Sequence, residues 1–457
     1  MRNKRIFCHT LLGRKRWHYD VILDLDSDGM ITGIGPGSQQ DADTYISGIV
    51  VPGMPNVHSH AFQRAIAGRT GPAGMNQDSF WSWREAMYRC ANIITPTQLA
   101  AVAANVYLEM LRAGYTSCAE FHYIHHQVDG SNFANPAEMS GRIIGAASEC
   151  GIAVTLLPVL YCNAGFGENG VSGQQRRFAN STDQYLSLLE HCQELVAGEA
   201  LYKLGIAPHS LRAVPGRVLQ EVLQTWPDQH CPVHIHIAEQ PAEVESCLKH
   251  LGARPVEWLM ENSPVDRRWC LVHATHMSDH EMIAAAARGV TVGLCPTTEA
   301  DLGDGVFRTA DWLKAGGSFA VGSDSNTRIS VAEELRLLEY NERLASGRRN
   351  VLTEPDVTCG SFLYRQAAAG GGKATGQAVG ILDVGYRADL LVLDESHELL
   401  AGRQPDVAMD SWIFAGEQTM IKSVWVAGQR LIEQGVHLRQ KSIRSAAARA
   451  ILELVRI

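Results

Sequence analysis

The sequence predicts an α/β fold: a (β/α)8 TIM barrel with a small β-sandwich domain built from the N- and C-terminal segments. Between residues 51 and 375, eight apolar strand-like stretches alternate with helical stretches, which is the pattern of a parallel barrel. Strand patterns without intervening helices occupy residues 1–50 and 376–440, and we expect these two segments to form the small domain. An open doubly wound sheet is the alternative arrangement of the barrel elements.

The first fifty residues have the pattern of short strands joined by turns. An apolar run over 21–26 leads into the turn pair Asp28-Gly29 and then into a second run over 30–34, as in a β-hairpin. Gly33, Gly35 and Gly37 imitate part of a dinucleotide-binding fingerprint. No helix pattern follows these glycines, so we exclude a dinucleotide site there.

The barrel segment contains both strand patterns and helix signals. The clearest helix has Thr95 as its capping residue and Pro96 at its first position, and it ends before Gly114. Further helices are predicted over 136–150, 182–196, 241–251, 278–288 and 330–344. The eight strands are predicted over 48–57, 115–121, 152–160, 202–208, 232–238, 269–274, 290–295 and 318–322.

After residue 375 the strand pattern returns. Residues 383–394 are predicted to form a turn followed by an apolar strand. Residues 424–432 are predicted to form a hairpin that turns at Ala427-Gly428. Residues 441–457 are predicted to form a helix that docks on the body of the protein. The glycines 370–372 resemble half of a phosphate loop, but Ala374 stands where Ser or Thr is needed, so we expect an ordinary loop.

Composition limits the partners that this chain can have. The formal net charge is −9, and no Lys/Arg block is longer than residues 14–16, which argues against nucleic acid. The N-terminus lacks the apolar core of a signal peptide, and no stretch is long enough to span a bilayer. None of the 11 cysteines forms a C-x-x-C pair. We therefore expect a cytoplasmic protein without membrane partners.

Side chains that bind metals recur where the predicted strands end. His58 and His60 close the first strand at a spacing that points both rings to one side. The fifth strand ends in a His-x-x-Glu stretch, and His273 and Asp324 follow the sixth and eighth strands. Because the strands of a barrel end on one face, where its active sites lie, these residues predict a metal site.

With these motifs the chain resembles the mononuclear deaminase branch of the amidohydrolase superfamily over essentially its whole length. The stretch Gly385-x-x-Ala388-Asp389-Leu390 is also typical of that superfamily. The resemblance implies one divalent metal ion, most simply Zn2+ with Fe2+ as the alternative. The end of the fourth strand carries no lysine of the kind that binuclear relatives carboxylate. The implied ligands are His58, His60, His236 and Asp324, with His236 preferred over His234 because it stands three residues before Glu239.

The resemblance also implies a mechanism. A bound divalent ion lowers the pKa of its water from ~15.7 toward ~7, so that hydroxide is available at neutral pH. His273 and Asp324 are expected to orient this water. Glu239 is expected to take its proton and to hand it to a substrate nitrogen, which leaves as ammonia.

Three further stretches narrow the range of possible substrates. These are His58 through Ala65, the Phe-Trp-x-Trp-Arg-Glu stretch ending at Glu85, and Glu120 through Tyr123. They are similar to enzymes of this branch that hydrolyse N-formimino-L-glutamate to N-formyl-L-glutamate and ammonia in histidine degradation. Arginine binds the carboxylates of such a small dicarboxylate in a charge-assisted fork. The resemblance implies a homodimer and assigns substrate contacts to Gln63, Arg84, Tyr123, His209 and Arg212.

Several alternatives stay open at this point. The enzyme could instead deaminate a purine, pyrimidine or triazine ring, although a neutral heterocycle gives no reason for two convergent guanidinium groups. A second alternative is that this chain is a member of the superfamily that has lost its activity and serves as a binding or scaffold protein. Arg84 and Arg212 could form surface ion pairs. His122, His125 and His126 suggest either a second metal site or local hydrogen bonding.

Overall fold

The computed structural model describes residues 4–68 and 80–455, and their strands form three sheets. The strands are β1 Lys4–Leu12, β2 Trp17–Leu25, β3 Ile31–Pro36, β4 Thr44–Pro52, β5 Met54–Ser59, β6 Tyr115–His122, β7 Ala153–Leu160, β8 Tyr202–Leu204, β9 Ala207–Pro208, β10 Val233–Ile237, β11 Trp269–His273, β12 Thr291–Leu294, β13 Ser318–Val321, β14 Leu390–Leu393, β15 Ile421–Val426, β16 Gln429–Glu433 and β17 Val436–His437.

The α-helices lie between and after the strands of the parallel sheets. They are α1 Phe80–Ile93, α2 Pro96–Arg112, α3 Glu138–Cys150, α4 Thr182–Val196, α5 Gly216–Thr225, α6 Pro241–Leu251, α7 Pro255–Asn262, α8 Asp279–Ala287, α9 Pro296–Leu302, α10 Thr309–Lys314, α11 Val331–Ser346, α12 Cys359–Thr375, α13 Pro405–Asp410 and α14 Gln440–Val455. Among the described helices, none combines the length and the apolar character that a bilayer crossing requires.

One mixed sheet joins the two ends of the chain. Its order is β17-β16-β15-β14-β4-β1-β2-β3, so the N-terminal strands meet the C-terminal ones where β4 pairs antiparallel with β14. Ile6, Leu23, Val50, Leu390 and Trp425 belong to the apolar cluster buried on this sheet. The contribution of both chain ends to one β-structure agrees with the prediction. The domain limits near residues 50, 376 and 440 stay predictions.

Two parallel sheets contain the other strands. β5-β6-β7-β8 form one, with β9 also paired to β7, and β10-β11-β12-β13 form the other. Parallel bridges connect these sheets at both sides, from Ser59 to Asp324 and from Ile206 to Val233. The alternation of parallel strands with helices confirms the α/β class.

The strand predicted over 48–57 is wrong in its extent, because it is two strands that belong to different sheets. β4 ends at Pro52 and β5 begins at Met54. The Gly53 N–H donates to the Asp389 carbonyl oxygen at 2.8 Å, and a Cβ at Gly53 would overlap the Thr116 side chain. The apolar pattern continues through the break, so periodicity does not reveal it.

The strand predicted over 202–208 is likewise interrupted, at Gly205. β8 ends before this glycine and β9 begins after it. A Cβ at position 205 would lie 2.8 Å from the Pro232 carbonyl oxygen. The close approach of the neighbouring backbone explains why a glycine stands here and why the pairing shifts.

The prediction of a loop at glycines 370–372 is wrong, since they lie inside helix α12. A Cβ at Gly370 would overlap the Phe319 carbonyl oxygen, and one at Gly371 would lie 2.9 Å from Pro55. The glycines therefore let α12 pack directly on β13 and β5, and this tertiary gain outweighs the low helix propensity of glycine.

We expect Gly370→Ala to destabilise the protein by about 1–3 kcal/mol, because the added methyl group has no space against β13. Gly145, in the exposed interior of α3, is the matched control, since a Cβ there would meet no atom within 4 Å. Gly145→Ala should stabilise the protein by about 0.5–1 kcal/mol. Urea unfolding followed by circular dichroism measures both changes. Equal effects of the two substitutions would contradict this account of the glycine run.

The predicted helix ends and the C-terminal hairpin are confirmed. Thr95 caps α2 and accepts a hydrogen bond from the Gln98 N–H at 3.3 Å. The hairpin of β15 and β16 turns at Ala427 and Gly428, whose φ angles of 48° and 70° fit a type I′ turn. Helix α14 docks as predicted. Its buried side chains include Ile443, Ala447 and Leu454.

Candidate active site

The ends of three parallel strands bring the predicted metal ligands together. His58 lies on β5 and His60 directly follows it, His236 lies on β10, and Asp324 follows β13. Asp324 and His273, at the end of β11, have positive φ angles of 46° and 65°. Non-glycine residues adopt this backbone conformation at a cost, and such strain concentrates at functional sites.

Three imidazole nitrogens and one carboxylate oxygen converge on one point. The Nε2 atom of His58 lies 3.1 Å from Nε2 of His60 and 2.9 Å from Nε2 of His236. Oδ1 of Asp324 lies 3.5 Å from Nε2 of His58 and 3.3 Å from Nε2 of His60. The structure therefore brings the four predicted residues into one cluster.

The hydrogen bonds behind this cluster fix which nitrogens carry lone pairs. Nδ1–H of His60 donates to the Phe121 carbonyl oxygen at 2.8 Å, and Nδ1–H of His236 donates to the His209 carbonyl oxygen at 3.0 Å. A carbonyl oxygen only accepts, so each neutral ring presents a bare Nε2 to the centre. Burial lowers the pKa of His60 to about 3, which keeps the ring neutral.

The donor set fits a divalent metal ion. Lone pairs that face one another at about 3 Å repel unless a cation lies between them, and neutral imidazole with carboxylate is a common ligand set. Burial also raises the pKa of Asp324 to about 7, so a charged carboxylate here needs a cation. Groups of residues that could hold an ion include His58 with His60 and Asp324, and His58 with His236 and His273.

His273 is surrounded by carboxylates. Its Nδ1 atom lies 3.2 Å from Oε1 of Glu299, and its Nε2 atom lies 3.8 Å from Glu239 and 3.7 Å from Asp324. Burial alone would lower the pKa of His273, but Glu239, Glu299 and Asp324 outweigh burial and raise it well above the usual value. The ring therefore presents an N–H donor between Glu239 and Asp324.

Sequence reasoning missed Glu299. Its carboxylate accepts from the Cys295 N–H at 2.9 Å and orients His273 from behind. The sequence did contain a signal for this role. Glu299 stands four residues after Cys295, in the first turn of α9, where an acidic side chain can reach back to the end of β12.

Sequence reasoning also missed the polar network that fixes the loop of Asp324. Asn56 Nδ2 donates to Ser323 Oγ at 2.6 Å, and Ser323 Oγ donates to Asn326 Oδ1 at 2.6 Å. Asn326 Nδ2 donates to the carbonyl oxygens of His60 and Asp324 at 3.1 and 3.0 Å. The network therefore fixes the backbone of His60 and of Asp324 relative to each other.

A cavity of about 560 Å³ opens above the cluster. It brings together ten of the eleven predicted site residues, and the eleventh, His58, is fully buried beneath it. Gln63 Nε2 donates to the Tyr123 hydroxyl at 2.8 Å in its wall. The lining residues are His60, Gln63, Trp83, Arg84, Met87, Tyr88, Tyr123, Tyr161, Phe178, His209, Arg212, His236, Glu239, His273, Leu302 and Asp324.

The two arginines lie close together in this cavity and are partly buried. Burial lowers the pKa of Arg84, and the neighbouring Arg212 contributes to the decrease. For Arg212, burial alone would lower the pKa, but Tyr161 and Glu243 outweigh it and raise the pKa. Two guanidinium groups that share a partly desolvated cavity attract an anion. Because Arg84 and Arg212 both line the cavity, the structure does not support the alternative that they form surface ion pairs.

Three further histidines that the sequence singled out have local partners. Nε2–H of His125 bonds to the Val159 carbonyl oxygen at 2.9 Å, and Nε2–H of His126 bonds to the Ala179 carbonyl oxygen at 2.7 Å. Nε2–H of His234 bonds to the Ala374 carbonyl oxygen at 2.8 Å. Within 4–68 and 80–455, the possible metal groups include none of these three and not His122, which favours local hydrogen bonding. The side chain of Trp81, in the Phe-Trp-x-Trp-Arg-Glu stretch noted in the sequence, lies outside the described part of the structure.

Comparisons with known proteins agree with this geometry. The model of the family described as "Amidohydrolase family" matches residues 49–431. Formimidoylglutamate deiminase of Pseudomonas aeruginosa is 47% identical over 451 residues, which cover 98% of this chain and 99% of that protein. The 5-methylthioadenosine/S-adenosylhomocysteine deaminase of Halobacterium salinarum is 26% identical over 382 residues, covering 82% and 80%.

Two solved structures are similar over nearly the whole chain. An amidohydrolase from Brucella melitensis has a TM-score of 0.94 and 43% identity, with 99% of this chain and 100% of that chain covered. An adenosine deaminase from Xanthomonas campestris with bound zinc has a TM-score of 0.81 and 20% identity, covering 99% and 98%. At that identity the second structure shows a shared fold alone.

Proposed function

This chain belongs to the amidohydrolase family, and from that premise we propose that it hydrolyses N-formimino-L-glutamate to N-formyl-L-glutamate and ammonia, a step of histidine degradation. The pair Arg84 and Arg212, placed in one cavity with the histidine–aspartate cluster, is the observation that carries the proposal. Two guanidinium groups match a dicarboxylate and have no counterpart on a neutral ring. The 47% identity to the Pseudomonas aeruginosa enzyme supports the same substrate.

We also propose that the two parallel sheets close into a (β/α)8 barrel. The bridges from Ser59 to Asp324 and from Ile206 to Val233 support closure, because they connect the sheets at both sides. In such a barrel the cluster lies at the carboxyl ends of the strands, where TIM-barrel enzymes have their active sites.

We propose Zn2+ as the metal, with His58, His60, His236 and Asp324 as the residues that would hold it. Three imidazole nitrogens and one carboxylate suit zinc, and Fe2+ is the alternative. A bound ion of this kind supplies Lewis acidity and makes a water molecule more acidic. Glu239 and His273 lie close together in the same cavity, with 3.8 Å between Oε1 of Glu239 and Nε2 of His273, so both side chains could act on one water molecule if the ion were bound.

Glu239 is the proposed proton carrier. It takes a proton from the attacking water and gives it to the formimino nitrogen, and it then moves the proton of the newly formed hydroxyl group to the same nitrogen, so that the carbon–nitrogen bond breaks, the formyl carbonyl forms and ammonia leaves. His273, held by Glu299, donates an N–H toward Glu239 and Asp324 and orients the reacting groups. Gln63, Arg84, Tyr123, His209 and Arg212 are the proposed substrate contacts.

Release of ammonia from N-formimino-L-glutamate, compared with guanine and cytosine, tests the proposed function. We expect turnover of the formimino compound alone. Turnover of a ring compound without turnover of formiminoglutamate would exclude the proposal. The homodimer, the cytoplasmic location and the absence of nucleic-acid and membrane partners stay predictions from the sequence.

Arg212→Met should raise KM for formiminoglutamate by about 100-fold and change the metal content little, since it removes one charged partner of the substrate. Arg142→Met is the control, because Arg142 pairs with Glu138 on the exposed side of α3. Steady-state kinetics with elemental analysis measures both. An unchanged KM for the Arg212 variant would show that this residue does not bind the substrate.

A further inference from the structure

Gln175 connects two buried tyrosines in the wall of the cavity. Its Nε2 atom lies 3.0 Å from the Tyr88 hydroxyl and 2.9 Å from the Tyr161 hydroxyl. Tyr88 and Tyr161 line the cavity together with Arg84 and Arg212, and none of the roles assigned above uses them. Gln175 itself is buried behind them.

The orientation of the Gln175 amide follows from its other contacts. Its Oε1 atom accepts from the Ser172 backbone N–H at 3.0 Å and lies 3.0 Å from Ser172 Oγ. A backbone N–H can only donate, so the atom that faces Ser172 must be the amide oxygen. The amide NH2 group therefore faces the two tyrosines and donates one hydrogen to each phenol oxygen.

This arrangement leaves the phenol hydrogens available. Each phenol uses an oxygen lone pair toward Gln175, so its own O–H must donate elsewhere. Within the described part of the chain, no carbonyl or carboxylate oxygen accepts from either hydroxyl. Burial raises the pKa of Tyr161, so this phenol stays protonated. Without a ligand the two hydroxyls interact with each other, and a bound acceptor can take both O–H groups.

The phenols lie beside the two arginines. The Arg84 guanidinium lies 5.6 Å from the centre of the Tyr88 ring, and Tyr161 is close enough to Arg212 to raise its pKa. An O–H donor next to two guanidinium groups, in a cavity where both arginines are partly buried, matches one chemical group best. That group is a carboxylate, which accepts several hydrogen bonds and carries the opposite charge.

We propose that Tyr88 and Tyr161 bind the same substrate carboxylate as Arg84 and Arg212, and that Gln175 is the positioning residue that turns their hydroxyl groups toward it. The inference rests on the proposed function, because the ligand it names is a carboxylate of the formimino substrate. It assigns specificity to three residues that carry no net charge.

The test compares Tyr88→Phe and Tyr161→Phe with Tyr364→Phe. Tyr364 is a matched control, since its buried hydroxyl donates to the Pro52 carbonyl oxygen on another side of the fold. Loss of a hydrogen bond to a charged group should raise KM for formiminoglutamate by about 10-fold or more in each site variant, with a smaller change in kcat. The control should keep the wild-type KM.

A second substrate identifies the interaction. N-formimino-L-glutamine carries a neutral amide in place of the side-chain carboxylate, and N-formimino-L-isoglutamine replaces the other carboxylate. The penalty of the phenylalanine substitutions should shrink to about twofold for one of these two compounds, because the lost bond is then to a neutral group. Equal penalties for all three substrates would overturn the assignment to a carboxylate.

Gln175 is tested by two substitutions. Gln175→Glu keeps the acceptor for Ser172 but gives the phenols a carboxylate to donate to, which turns their hydroxyls away from the substrate. Its KM should therefore rise more than that of Gln175→Met, although both variants lose the native amide. A merely structural role would give the methionine variant the larger effect, and that order would overturn the positioning role.

The outcomes separate this inference from the proposed function. A wild-type enzyme that releases no ammonia from formiminoglutamate would overturn both. A wild-type enzyme that does so, with Tyr88→Phe and Tyr161→Phe variants that are folded by circular dichroism and keep the wild-type KM, would overturn the tyrosine assignment alone. Calorimetric binding of glutarate, a plain dicarboxylate, should weaken in the same two variants.

Discussion

Glu239→Gln should lower kcat by about 10²–10⁴-fold while the protein keeps its metal, because glutamine fills the same space but cannot carry a proton. The side chain lies in the cavity wall, 3.8 Å from Nε2 of His273, and does not belong to the convergent nitrogen cluster. The loss should therefore fall on the chemical step. Ammonia release under saturating substrate, with elemental analysis of the same sample, measures the effect.

Glu245→Gln provides the control. Glu245 is exposed on α6, whereas Glu239 lies just before that helix and faces the cavity. The control should keep both the activity and the metal of the wild type. If Glu239→Gln retained more than about a tenth of wild-type kcat, proton transfer by this residue would be ruled out as a main contribution.

Removal of the metal should abolish turnover, and return of Zn2+ should restore it. The same treatment should lower the unfolding temperature, since the ion binds the folded state only. An ion present at about 1,000 times its dissociation constant contributes about 4 kcal/mol to stability. The loss of stability has a local cause as well, because two further imidazole nitrogens and a carboxylate oxygen are buried within 3.5 Å of Nε2 of His58.

Mg2+ and Ca2+ serve as the controls for metal return. Both are hard cations that prefer oxygen ligands, so they should restore neither the activity nor the unfolding temperature. Recovery with Mg2+ as complete as with Zn2+ would contradict the three-histidine ligand set. A chelated protein with full activity would contradict the proposed role of a metal altogether.

The local parts of the fold could be predicted from the sequence. Thr95 and Pro96 mark a helix start because capping is a property of neighbouring residues. The convergence of His58, His60, His236 and Asp324 could be predicted because these residues lie at the ends of apolar strands, and parallel strands end on the same side. Both arguments need only short segments and a repeated pattern.

The parts that failed depend on contacts between distant segments. Gly53 interrupts an apolar run where Asp389 and Thr116 approach it, and nothing in the run itself signals the break. The glycines 370–372 stay helical because β13 and β5 lie directly against them. Glu299 and Gln175 act through hydrogen bonds to residues of other segments. Such pairings are visible only after the chain has folded.

The junction at Gly53 also constrains how this protein is made. β4 takes one hydrogen-bonded neighbour from the start of the chain, β1, and the other from near its end, β14. One glycine later the chain enters β5, which positions His58 and His60. Long-range pairing of this kind forms late and slowly. During synthesis on the ribosome, β4, the strand directly before the histidine pair, therefore stays without its second neighbour until residues 390–393 have emerged.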